Sequence, residues 1–116
     1  MPYDQQLADR VRALVPHLPG APVHERPMFG GLGFLTDGGH MAVCVAGSGE
    51  GLLVRVPAED SAALREQEGV EPMAMAGRVS ATWVVVETGL LTDDDALEEW
   101  CRRGAAVAAA LPAKQR

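Results

Sequence analysis

From Arg26 to Phe34 the chain reads Arg-Pro-Met-Phe-Gly-Gly-Leu-Gly-Phe. Apolar residues and glycines follow one another without polar chemistry between them. Large apolar side chains favour a pleated, half-buried backbone, whereas adjacent glycines let that backbone bend. The segment therefore reads as one strand over about 24–36, interrupted at Gly30-Gly31, where a bulge is expected. Pro27 is tolerated at the start of such a strand or on a sheet edge.

The flanking patterns supply its neighbours. Asp4 is a good N-cap for a first helix, whose stripe is Leu7, Val11, Leu14, Val15 and Leu18. Pro16 ends or kinks that helix, and Pro19–Pro22 is a loop. Asp37-Gly38 marks a hairpin turn before a second strand at about 40–46, in which Met41, Val43 and Val45 face one way and Ala42, Cys44 and Ala46 the other. Gly47–Gly51 is a further turn, leading to a third strand at about 51–56. Pro57, Glu59 and Asp60 open a second helix over about 57–67. A short strand at about 73–76 turns at Gly77-Arg78 into a stronger one at 82–87. Trp83-Val84-Val85-Val86 is apolar on both faces, which places that strand inside the sheet. Thr92 before Asp93-Asp94-Asp95 resembles a capping box for the last helix, which Pro112 ends, leaving a frayed tail.

The order is α-β-β-β-α-β-β-α. Short links force mostly antiparallel pairing, and helices on one face then give an α+β two-layer sandwich. At 116 residues this is a single domain, 1–116, with enough core to fold without disulfide or metal. The net charge of −6 and the scattered arginines argue against direct nucleic-acid binding, which depends on neutralising phosphates. The N-terminus has no secretory pattern and no apolar run approaches a membrane span, so a cytoplasmic protein with no membrane association and reduced cysteines is expected.

The residues Arg26, Met28, Phe29, Gly30 and Gly31, then Leu52-Leu53-Val54-Arg55-Val56, are similar to the N-terminal domain of the TfoX/Sxy competence-regulator family. Pro72-Met73, Gly77-Arg78, Trp83–Val86 and Glu99-Trp100 continue the pattern, so the resemblance spans about residues 3–112. It implies a secretion-chaperone-like α+β fold. It also implies regulation of competence gene expression, in members that carry a second, C-terminal domain. A stand-alone N-terminal-like domain is expected here. No enzymatic activity and no cofactor follow from the resemblance.

No constellation of residues specifies a reaction. Gly30-Gly31-Leu32-Gly33 leads into a strand, whereas a phosphate-cradling loop needs a following helix N-terminus. Gly47-Ser48-Gly49 lacks the strand-to-helix turn of a nucleophile elbow. Cys44 and Cys101 sit on apolar stripes and read as small core hydrophobes. His17, His24 and His40 lack metal-ligand spacing, and Asp93–Asp95 complements a helix dipole. Arg26, Arg55 and Arg78 would converge if their strands are neighbours, but ion pairing with nearby Glu25, Glu59 or Glu71 is the expected arrangement. The first expectation is a non-enzymatic regulatory or protein-interaction module with an unidentified protein partner or a second copy as a homodimer. Its surface would be the hairpin of Arg26, Met28, Phe29, Gly30, Gly31 and Gly33, or the open sheet face. The alternative is a protein or enzyme that binds a small anionic ligand through Arg26, Arg55 or Cys44 in a cleft.

Overall fold

The computed structural model describes residues 3–20, 23–28, 30–47, 51–75 and 77–112. Phe29, the middle of the 47–51 turn and the tail for which fraying is expected lie outside the described residues.

Asp4 caps the first helix as its position predicts. Its carboxylate accepts the Leu7 amide at 3.0 Å, and α1 runs Gln5–Leu14. Val15–His17, which contains Pro16, is then a single 3-10 turn, because proline supplies no amide to continue the α-helical ladder.

The interruption at Gly30-Gly31 is a full reversal rather than a bulge. β1 (His24–Met28) and β2 (Gly31–Leu35) pair antiparallel, with Met28 opposite Gly31. Gly30 occupies the reversal at φ +78, where a Cβ would be strained. The irregularity lies one strand further on, in β3 (Met41–Val45). Phe34 pairs with Val43 but Leu35 pairs with Met41, so Ala42 is the extra residue. Strict alternation across 40–46 is thereby broken. Met41 joins Cys44 in lining one face of the sheet, away from Val43 and Val45.

β4 (Leu52–Arg55), α2 (Ala58–Arg65), β5 (Val70–Met75), β6 (Arg78–Val86), a 3-10 turn (Thr88–Leu91) and α3 (Asp94–Ala110) follow among the described residues. Among the described residues the sheet has six strands in the order β1-β2-β3-β4-β6-β5, every neighbouring pair antiparallel. The α+β class and the element order agree with the sequence reading, the interrupted first strand counting as two. β6 lies between β4 and β5, as its two apolar faces require. The two edge strands, β1 and β5, carry Pro27 and Pro72. Proline offers no amide to a further strand, so it belongs on an edge.

The three described α-helices serve one face. α3 lies across β3 and β4, α2 lies against β6, and α1 packs beside α3. Phe34, Val43, Val45, Leu52, Val54 and Val84 from the sheet are almost wholly buried there with Leu97, Cys101 and Ala105 of α3. Burial of each such Val, Leu or Phe contributes roughly 1.5–3 kcal/mol. Gly104 lets α3 approach this closely: a Cβ on it would meet the Ala42 carbonyl oxygen and lie 3.1 Å from Val43 Cγ1. Thr92 does not form the expected capping box. α3 starts after Asp93, which makes no side-chain capping bond, and Asp94 instead accepts Arg10 Nη2 at 2.8 Å. Arg12 binds Glu25 through two hydrogen bonds of 2.5 and 2.9 Å, tying α1 to β1. That guanidinium holds the Glu25 carboxyl below its ordinary pKa.

Candidate functional site

Period-two alternation sends the side chains that do not meet the helices to the opposite face of the sheet. Register then lines them up across strands. Arg26 lies opposite Gly33, Gly33 opposite Cys44, Cys44 opposite Leu53, and Leu53 opposite Val85. The next row holds Leu35 opposite Met41 and Arg55 opposite Trp83. None of the described helices covers this face, and a cavity of about 770 Å³ opens on it. Its walls are mainly apolar: Met28, Met41, Leu53, Met73, Val79 and Trp83. Val79 stands out among them, 54% exposed. Gly33 is part of what makes the surface hollow. A Cβ there would lie 2.7 Å from Met41 Sδ and 3.4 Å from Met28 Sδ, so its absence lets both thioethers settle over the strand.

Arg26, Arg55 and Arg78 all line the same cavity. The ion pairs weighed against this convergence do not form among the described residues. Glu25 is taken by Arg12, and none of the three arginines lies within salt-bridge distance of a described carboxylate. Among the described residues the lining contains three of the chain's ten basic side chains and none of its sixteen acids. The cavity is thus a cationic, apolar depression on an acidic protein.

Arg55 is the most constrained of the three. Its Nε donates to the Met41 carbonyl oxygen at 2.7 Å, and its guanidinium lies 4.7 Å from the centre of the Trp83 ring. One edge and one face of the planar group are therefore occupied. No described acceptor reaches its terminal nitrogens. The residue is half-buried, and this desolvation pushes its pKa below the ordinary arginine value.

The hairpin residues divide. Arg26 and Met28 line the cavity, Gly33 lies beneath its methionines, Gly30 is exposed at the reversal and Gly31 is buried against β3. Phe29 lies outside the described residues. Cys44 contributes to the cavity but is 2% exposed, and burial raises its thiol pKa. Cys101 faces the helix-side core, where burial pushes the thiol up to about 12. Both are protonated at neutral pH, and a thiol rather than a thiolate is a poor nucleophile. Among the described residues no group of three His, Cys, Asp or Glu side chains is placed to hold a metal ion.

In the sequence, Leu53, Met73 and Trp83 figure only in strands and the family pattern, Met73 also as adaptable apolar surface, and Val79 not at all. The signal for them was present in strands that are apolar on both faces, since only one face can meet the helices. None of the described helices is long and apolar enough to cross a membrane. No curated protein matches the chain. Residues 17–108 match the family model of the TfoX N-terminal domain.

Proposed function

The chain belongs to the TfoX N-terminal domain family, and from that premise we propose that it is a non-enzymatic regulatory module that acts by binding. The recognition surface in this reading is the uncovered face of the sheet. One observation carries it: a hollow of about 770 Å³ lined by methionines, Leu53, Val79 and Trp83, with three arginines that no described carboxylate neutralises. A purely structural sheet face facing water would alternate to polar residues. Exposed methionine-rich apolar surface suits recognition because its side chains repack around what they meet. A role in competence or transcription, a cytoplasmic setting and a protein partner or second copy are parts of the same proposal, supported by the family alone.

The test is site-specific photocrosslinking in cells that produce the chain. A photoreactive residue at Val79 sits on the hollow, and one at Gln6 sits on the exposed side of α1. Adducts read by mass spectrometry, whether protein or small molecule, are expected from Val79 and not from Gln6. Silence at Val79, or the same adducts from both positions, would overturn the assignment of the surface.

A further inference from the structure

The state of Arg55 constrains what can occupy the hollow. A guanidinium offers five donors in a planar fork. Here one donor is spent on the Met41 carbonyl and one planar face on the Trp83 ring. The outer edge, with its two terminal nitrogens, has no described acceptor. A half-buried cation without a counter-ion is costly, and that cost is relieved when an anion arrives. The fixed orientation also removes most of the entropy that a free arginine loses on gripping a carboxylate.

The surroundings define the rest of the molecule. Arg26 lies on β1 and Arg78 at the start of β6, so the positive charge is contributed by three separate strands of the sheet. Between and beneath them are Leu53, Met41, Met28 and the Trp83 ring, which offer nothing to a polar body. A cavity of about 770 Å³ is in the range, roughly 300–1,000 Å³, that accommodates a small molecule. A wholly polar anion would leave the apolar lining wet, and a wholly apolar ligand would leave three arginines uncompensated. From this we infer that the hollow binds a small amphipathic carboxylate, its head on the outer edge of Arg55 and its apolar body along Leu53, Met41 and Trp83. The inference rests on the reading of this face as the recognition surface and names the class of ligand it takes.

Octanoate is the probe, with three controls that each change one property. Octanamide keeps the tail and removes the charge, octylammonium reverses it, and acetate removes the tail. Binding is followed by calorimetry and by tryptophan fluorescence, using Trp83→Phe to isolate the signal, since Trp100 is buried on the helix side. Octanoate should bind saturably at one site per chain, raise the melting temperature and change the Trp83 emission. Octanamide, octylammonium and acetate should each be at least tenfold weaker. Arg55→Gln should weaken octanoate at least tenfold, as expected for loss of a bidentate charge-assisted contact. Arg26→Gln, which alters an exposed side chain and leaves the Met41 bond intact, should also weaken octanoate, and it decides the matter where Arg55→Gln disturbs the fold.

Equal binding of octanoate and octanamide would overturn the inference, as would unchanged affinity in both arginine variants. Sedimentation showing a dimer that Val79→Glu dissociates and octanoate does not disturb would assign the face to a second copy and also overturn it. Failure of octanoate with productive crosslinking at Val79 rejects the ligand class and leaves the surface standing. Failure of both rejects the surface.

Discussion

Gly30 and Gly31 are adjacent, yet replacing each with alanine should fail for a different reason and by a different amount. At Gly30 the obstacle is the backbone. Its φ is +78, but an added Cβ would meet only the Gly47 Cα, at 3.9 Å. The cost is that of a left-handed conformation, about 1–2 kcal/mol, reduced slightly because alanine also restricts the unfolded chain. At Gly31 the obstacle is space. A Cβ there would fall inside contact distance of the Val45 carbonyl oxygen and 2.9 Å from the Gly47 amide nitrogen. Both are main-chain atoms, one of β3 and one of the turn that follows it, so no rotamer change relieves the clash. Overpacking costs about 1–3 kcal/mol, and displacing β3 also weakens ladder hydrogen bonds at about 1 kcal/mol each. Gly31→Ala should therefore cost about 3 kcal/mol and Gly30→Ala about 1 kcal/mol. In urea, with a slope of about 1–3 kcal/mol/M, the midpoints should fall by roughly 1.5 M and 0.5 M. Gly30→Asn should recover part of its loss, because asparagine tolerates positive φ, whereas Gly31→Asn should be no better than Gly31→Ala. A Gly31→Ala midpoint at or above that of Gly30→Ala would show that Gly31 is not held by lack of space.

Two further outcomes follow from the helix-side core. Gly104→Ala improves helix propensity by about 1 kcal/mol but places a methyl against the Ala42 carbonyl. The clash should dominate, lowering the thermal midpoint by several degrees; a rise would show that α3 can shift outward freely. Cys101 has its folded pKa raised from 9.0 to about 12 by burial. The unfolded state then releases its proton first, so stability that is complete below pH 9 is lost progressively as pH rises towards 12. Cys101→Ala should show a shallower loss of stability from pH 9 upward in urea titrations, and an unchanged slope would contradict the burial of that thiol.

The elements set by local chemistry were legible in the sequence. Asp4 as a cap, Pro16 as a terminator and Pro27 as an edge residue need only their neighbours to be read. The paired glycines were harder, because Gly-Gly permits both a bulge and a reversal. Only the pairing of Met28 with Gly31 distinguishes them. The bulge at Ala42 has no sequence mark at all. It is set by the partner strand, and it turns Met41 towards the hollow. Thr92 looked like a cap because Ser/Thr-x-x-Asp/Glu is a local signal, but the 3-10 turn at Thr88–Leu91 moves the helix start past it. The three arginines come from strands far apart in sequence, so their convergence depended on the sheet order, which β6 inserting between β4 and β5 decides.

The prolines at the rims of the sheet reach beyond stability. Many β-proteins recognise extended peptides by letting them add as an extra strand, with backbone amides supplying the affinity. That mode needs an uninterrupted row of donors and acceptors along an outer strand. Pro27 on one border and Pro72 on the other break the row at both. The molecule is thereby steered from main-chain recognition, which is tolerant of sequence, towards side-chain recognition, where shape and charge decide what is admitted.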